Sequence, residues 1–307
     1  MAKEGAGNKW VKVDLTAPPD LADALANFLT EIGAEGICQE APAPPADEFE
    51  ADPIFDTLTA YFPGEKLEPA IASLETYLEG LHDIFPAFGK PTFAITQISD
   101  ADWGEEWKKY FHPLRIGNNL IVKPTWEPYT AAAGDVVIEI DPGMAFGTGQ
   151  HHSTAMCLEA MESLITEQLT AAERVLDVGT GTGILGIAAA RLGARDVLCL
   201  DIDEQAVAIA IENAFLNQVA ARLKIRHSGI AALRETFDLI LANLTAKLLI
   251  EIYADLESGL RPGGYLILSG IIEKQSPEIE KQFSHPPLRL HRLVKSADWR
   301  CYVYCKE

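Results

Sequence analysis

Between Asp177 and Gly183 the chain reads DVGTGTG, a strand end running into a loop with glycine at Gly179, Gly181 and Gly183. Glycine is required where backbone φ is positive, or where the main chain must lie against a ligand with no Cβ between them. Residues 175–178 have the apolar character of a buried strand, and a helix follows the loop. Its N-terminus offers unpaired N–H groups to a carboxylate or phosphate. A second strand ends at Asp201, placed to accept hydrogen bonds from ribose hydroxyls. The spacing is that of a nucleoside-cofactor site, with the backbone at Gly179 and Gly181 against the ligand.

Two cofactors compete for such a loop. Read from Gly181, a GxGxxG pattern runs to Gly186 and Asp201 stands twenty residues on, as a nicotinamide-binding fingerprint requires. The register argues against it. Such a fingerprint begins where the strand stops, at Gly179, and its third glycine then falls on Ile184. The form D-x-G-x-G-x-G, starting at Asp177, is the one seen where S-adenosylmethionine binds. That molecule has no pyrophosphate and meets the loop with its amino-acid end and its ribose. Asp177 is then expected to face the ligand's ammonium group. A methyltransferase is the favoured reading. A nicotinamide-dependent oxidoreductase and a plain strand-turn-helix with packing glycines are the alternatives.

The elements that hold these residues belong to a chain of 307 residues, long enough for two domains, with an ordinary 48% hydrophobic content. A formal net charge of −20 argues against docking on exposed nucleic acid or anionic lipid and favours a basic partner. The plainer meaning of that charge is solubility. Five cysteines (Cys38, Cys157, Cys199, Cys301, Cys305) lack metal-ligand spacing, and they predict reduced, mostly buried thiols of a cytoplasmic protein. The first ten residues contain no apolar run resembling a signal peptide, and no segment is long and apolar enough to predict a membrane span.

Residues 1–99 carry their own pattern: strand (10–15), amphipathic helix (18–32), strand (36–39), an Ala/Pro/acid loop (41–53), strand (57–62), helix (67–81) and strand (92–98). The order βαββαβ predicts a small ferredoxin-like α+β domain. It holds no catalytic constellation, so a recognition role is expected of it. Residues 100–130 read as a linker, with a short aromatic and charged helix (102–111) and a strand (120–123). Its Trp and Tyr residues suit either a domain junction or a substrate contact. From 131 to 307 strands and helices alternate, which predicts a largely parallel sheet covered on both faces, closed by an antiparallel hairpin near 288–293 and 299–304. One helix is expected over 246–260 and one over 204–216.

Two further segments bear on the site. Residues 141–154, DPGMAFGTGQHHST, are long for a connector and apolar from Met144 to Phe146, so they are expected to fold over a ligand. Asn243 follows FDLILA at the C-terminal end of a strand, the edge where open α/β sheets bind ligands. His151 and His152 lack a third ligand, so no metal is expected.

Together these segments resemble the ribosomal protein L-eleven methyltransferases, the PrmA family, over almost the whole chain. The matching motifs are DWGEEWKKYFHPLRIG, DPGMAFGTGQH, VLDVGTGTGILGIAA, LDID, LANL and RPGGYLILSGI. The resemblance implies a Rossmann-like methyltransferase domain with a mostly parallel seven-stranded sheet, preceded by a ferredoxin-like domain that binds the protein substrate. It implies methyl transfer from S-adenosyl-L-methionine to lysine ε-amines and the N-terminal α-amine of large-subunit ribosomal protein L-eleven. It also places cofactor contacts at Thr154, Gly179, Asp201 and Asn243, with Asn243 beside the reacting amine. Each contact has a plainer role: Thr154 as a helix cap, Asp201 as a solvated strand end, Asn243 as a turn residue. The chain departs from the family at Gln150 and His152 (commonly Thr and Pro), at Thr180 and Thr182 (Cys and Ser), and in LTAKLL after Asn243 (typically ILAGPL). The last lies beside the reacting amine and leaves open which amine is methylated and how often.

Overall fold

In a computed structural model of the chain, the residues described are 10–17, 25–26, 28–29, 32–34, 36–40, 56–84, 92–98, 111–141, 149, 151–167 and 174–307. The chain divides into two compact units, Met1–Phe111 and His112–Glu307. No helix among the described residues is long and apolar enough to cross a membrane.

The first unit contains β1 (Trp10–Ala17), β2 (Gly36–Glu40), β3 (Asp56–Pro63), the helix α1 (Leu67–Ile84) and β4 (Thr92–Ile98). The strands form one antiparallel sheet in the order β2-β3-β1-β4, the order a ferredoxin-like chain takes. Alternation along β1 sends Val13 and Leu15 to the same face, where they meet Leu58, Ala60 and Phe62 of β3. α1 places Ala70, Leu74, Leu78 and Leu81 at three- and four-residue spacing and buries that stripe in the same cluster. Of the helix expected at 18–32, Leu25, Ala26, Phe28 and Leu29 are described and helical, with Leu25 and Leu29 in the core. The loop at 41–53 lies outside the described residues, as does the aromatic helix at 102–111 apart from Phe111.

The second unit begins with a small sheet of β5 (Leu114–Ile116), β6 (Leu120–Lys123) and β7 (Val136–Glu139). β6 pairs antiparallel with β5 and parallel with β7. β7, which the alternation from 131 onward would put in the large sheet, therefore joins this one instead. The Asn217 side chain occupies the main chain of β7, accepting from Glu139 N (2.8 Å) and donating to Glu139 O (2.6 Å). The buried Glu162 of α2 (His152–Glu167) receives Asn118 N and Asn119 N at 2.7 Å each, which ties the β5–β6 turn to that helix.

The chain then builds a seven-stranded sheet. In order come β8 (Arg174–Val178), α3 (Ile184–Arg191), β9 (Asp196–Asp201), α4 (Glu204–Leu216), β10 (Leu223–His227), β11 (Phe237–Asn243), α5 (Ala246–Glu251), α6 (Tyr253–Gly259), β12 (Leu260–Ile272), α7 (Ser276–Phe283), β13 (Leu288–Ser296) and β14 (Trp299–Lys306). Their spatial order is β10-β9-β8-β11-β12-β14-β13. The first five strands run parallel, and the closing hairpin adds β14 and β13 antiparallel. These strands read as continuous apolar runs because both faces are covered. Val175, Leu239, Leu241 and Ile267 pack with α2 and α3, while Leu176, Val178, Ile240, Leu266 and Leu268 pack with α5, α6 and α7. The helix expected over 246–260 is two helices that meet at Ile252.

Candidate active site

After β8 the chain turns to β9 on one side of the sheet, while β11 lies on the other side. Such a reversal opens a crevice at the carboxyl ends of the two central strands, and ligands of open α/β sheets bind there. Gly179 follows the end of β8, Asp201 ends β9 and Asn243 ends β11. The expected site residues are therefore brought to one edge of one sheet.

The glycine loop is stitched to its neighbours. Gly179 N and Thr180 N both donate to Leu200 O of β9, at 2.9 and 3.0 Å. Gly179 has φ +70°, and a Cβ there would overlap Leu244 Cδ2, so the backbone lies directly against the segment that follows Asn243. The loop reaches α3 through Gly183, whose N–H returns to Thr180 O at 2.9 Å.

Asp177 departs from expectation. Its side chain is fully buried beneath the loop, with Oδ2 accepting from Thr180 Oγ1 (2.6 Å) and Gly186 N (3.1 Å). A carboxylate so placed fixes the turn and the start of α3 and does not face a ligand in the crevice. Oδ1 has no hydrogen-bond partner among the described residues. Burial, followed by the charge of Asp201, pushes the carboxyl up to about 6 against the pull of its two donors. A folded-state value above the unfolded one of about 3.9 means that the native chain holds the extra proton between these values. The stability contributed by protonated Asp177 is thus fully present below about pH 4 and lost as pH rises through about 6. Asp177→Asn stays neutral throughout. The Tm of the parent relative to this variant is expected to fall between about pH 4 and pH 7; a constant difference across that range contradicts the assignment.

Asp201 is half-buried, and each carboxylate oxygen already accepts one main-chain N–H. Gly181 N lies 2.9 Å from Oδ2 and Asp203 N 3.0 Å from Oδ1. A carboxylate has about four acceptor directions, so capacity for ribose hydroxyls is left over. Asp203 caps α4 as the sequence suggests, accepting from Gln205 N at 2.9 Å. Between the two acids, Ile202 is 76% exposed, a large apolar surface beside the acid expected to meet a ribose. Sequence reasoning passed over it, although an isoleucine between two aspartates at a strand end was the available signal.

On the far side of the crevice, Asn243 Nδ2 donates to Thr154 Oγ1 at 3.2 Å, and Asn243 Oδ1 is buried with no partner among the described residues. Thr154 is 1% exposed and sits inside the first turn of α2. It does not cap that helix, because Ser153 N donates instead to His151 Nδ1 at 3.2 Å. Ser269, which no local pattern singles out, is fully buried on β12 opposite Asn243 and donates to Ser153 O at 3.0 Å. Next to it, Gly270 has φ +80°, and an added Cβ would stand 2.5 Å from Leu244 O. That carbonyl cannot easily move, since Leu244 N is bonded to Ser269 O at 3.1 Å. Gly270→Ala is therefore expected to lower stability by about 1–3 kcal/mol, read as a drop in Tm; an unchanged Tm refutes the close approach.

The remaining expectations fall as follows. Met144 to Phe146 and Gln150 lie outside the described residues. His152 Nδ1 meets Ser296 Oγ at 2.9 Å, and the His151 ring stands edge-on to Trp299 at 4.6 Å. Among the described residues, no group of three His, Cys, Asp or Glu side chains is placed to hold a metal ion. Cys157, Cys199 and Cys301 are free and buried, and Cys305 is free and half-buried.

Residues 9–307 match the family described as ribosomal protein L11 methyltransferase (PrmA). The ribosomal protein L11 methyltransferase of Geobacter sulfurreducens is 42% identical over 304 residues, covering 97% of this chain and 99% of that protein. The protein of the same name from Geobacter metallireducens is 40% identical over 302 residues, covering 96% and 97%. Among solved structures, a ribosomal protein L11 methylase from Lactobacillus delbrueckii subsp. bulgaricus superposes with a TM-score of 0.59 at 32% identity, covering 64% of this chain and all of that one.

Proposed function

The chain belongs to the ribosomal protein L11 methyltransferase (PrmA) family, and on that premise we propose that it transfers methyl groups from S-adenosyl-L-methionine to amines of ribosomal protein L11. The acceptors are lysine ε-amines and the N-terminal α-amine. The reaction takes place in the cytoplasm, where ribosomal proteins are made and where thiols such as Cys157, Cys199 and Cys301 stay reduced. The 1–99 region supplies substrate recognition, residues 100–130 form the connection, and residues 131–307 carry the transfer chemistry. A net charge of −20 suits a basic protein substrate, attracted over distance and sensitive to salt.

The observation that carries this reading is Asn243 Oδ1, buried at the crevice between β8 and β11 with no partner among the described residues. A buried acceptor left without a donor costs free energy unless a ligand supplies one. The donor contributes an electrophilic methyl group on a sulfonium, and its adenosyl and amino-acid parts fit the residues present. Asp201 accepts from the ribose hydroxyls, Ile202 offers an apolar face, and the loop meets the ligand through Gly181, since Leu244 fills the space that a Cβ on Gly179 would take. Thr154 is bonded to Asn243 at the same strand end.

Only an unprotonated amine can attack carbon. For a lysine of ordinary pKa near 10.4, deprotonation at pH 7 costs roughly 4.6 kcal/mol. Burial beside a positive charge lowers an amine's pKa, by up to about 3–5 units in buried groups, which covers most or all of that cost. The proton can then leave to water before transfer. Asn243 Oδ1 accepts the amine's remaining N–H and so turns its lone pair toward the methyl carbon. The test is incubation of the purified chain with ribosomal protein L11 and isotopically labelled S-adenosyl-L-methionine, followed by peptide mass spectrometry. Label on lysine ε-amines and the N-terminus is expected. A cytosolic extract in which label appears on another protein and not on L11 overturns the substrate assignment.

A further inference from the structure

At the edge of the large sheet opposite the crevice, the end of α3, the loop from α4 to β10 and the start of β7 border a cavity of about 230 Å³. Its wall is Asp135, Val136, Arg191, Gln218, Val219 and Arg222. That volume lies below the roughly 300–1,000 Å³ of a drug-sized ligand site and suits a small group. We infer that this cavity binds the phosphate group of a small molecule through Arg191, Arg222 and Gln218, as a site separate from the crevice.

Asp135 does not neutralise the two arginines. Its carboxylate is turned to its own donors, Oδ1 taking Arg115 Nη2 at 2.8 Å and Oδ2 taking Tyr129 Oη at 2.7 Å and Ala132 N at 2.8 Å. Arg222 gives Nη1 to Ala190 O at 2.9 Å, which steadies the side chain and leaves its other N–H groups for a ligand. The Arg191 guanidinium has no hydrogen-bond or charged partner among the described residues. Two guanidinium groups beside one small cavity repel each other until an anion lies between them. Their planar forks match phosphate oxygens in pairs.

Gln218 supplies an independent observation. It follows the cap residue Asn217 with φ +58°, in the left-handed region that L side chains rarely enter. Gln218 N donates to Phe215 O and Val219 N to Ala214 O, at 3.0 Å each. Those bonds define a helix ending whose left-handed position is usually glycine. Glutamine has no conformational advantage there, and the residue that carries the strain is one that brings an amide to the cavity wall. The loop is also held in place before any ligand arrives, because Asn217 is bonded to both main-chain groups of Glu139. A chain of net charge −20 repels anions at long range, so phosphate binding reports this local arrangement and not diffuse attraction.

The test is calorimetric titration of the full chain with inorganic phosphate and, separately, glycerol 3-phosphate, at low ionic strength with matched chloride blanks. Saturable binding of at least one is expected, and the tighter of the two tells whether a free anion or an ester is the ligand. Arg191→Gln and Arg222→Gln should each weaken binding about tenfold or more, the loss for a charge-assisted contact. Arg191→Gln breaks no bond among the described residues, so its effect is free of any effect on folding. Gln218→Gly should weaken binding while raising Tm, because glycine relieves the left-handed turn. Arg226→Gln alters an exposed cation of β10 outside the cavity and should change phosphate affinity by less than about twofold. Affinity for S-adenosylhomocysteine should hold within the same limit in every variant. Absence of saturable binding overturns the proposal, as does full affinity in the Arg191→Gln or Gln218→Gly variant. An equal loss for Arg226→Gln makes the binding diffuse and overturns it too.

Discussion

Asn243→Ala is expected to leave the folded protein and most of its cofactor affinity in place while lowering turnover on ribosomal protein L11 by about two orders of magnitude or more. The size follows from what orientation contributes: a misplacement of about 1 Å of a reacting group can cost 10²-fold. The side chain is not a large packing element. Among the described residues its side chain is hydrogen-bonded to Thr154, and the β11 main chain on either side is held by register with β8 and β12. Truncation therefore removes the acceptor and leaves the frame. Steady-state kinetics with the donor varied at saturating L11, together with calorimetry, separates the two effects. A variant that binds poorly but turns over normally at saturation contradicts the assignment.

The second large effect is expected at Asp201. Replacing it with alanine should weaken S-adenosylhomocysteine binding by about 1.5–3 kcal/mol, the range for hydrogen bonds to a charged group, which is roughly ten- to a hundredfold in Kd. The structure adds a reason for the upper end of that range. The same carboxylate receives Gly181 N and Asp203 N, so it braces the glycine loop as well as offering itself to the sugar. Asp201→Asn keeps an acceptor of nearly the same shape and should lose less. Equal losses for both variants would point to loop collapse as the main cause, and unchanged affinity removes Asp201 from the site.

Much of this site was legible in the sequence because its key positions depend on local rules. Glycines that need positive φ, an acid at a strand end and an asparagine at the next strand end each follow from the strand-loop-helix pattern. α4 was likewise read at its observed limits, since Asp203 supplies the cap and Leu216 ends the pattern. The readings that failed depend on neighbours distant in sequence. Asp177 lies in a strand covered on both faces, so alternation could not tell whether its side chain points to the crevice or under the loop. The alternation from 131 onward did not separate β7 from the large sheet; it pairs with β6, and its end is held by Asn217 from 78 residues away. Ser269 reaches Ser153 across 116 residues, and nothing local to either announces it. The break at Ile252 carries no glycine or proline to mark it.

The sulfonium-to-amine geometry is tested most directly by a crystal structure of the chain soaked with S-adenosylhomocysteine. Density is expected at the carboxyl ends of β8, β9 and β11, with the ribose hydroxyls on Asp201, the amino-acid end against the glycine loop and the sulfur on the Asn243 side. Density at any other edge of the sheet, or a ribose away from Asp201, contradicts the account.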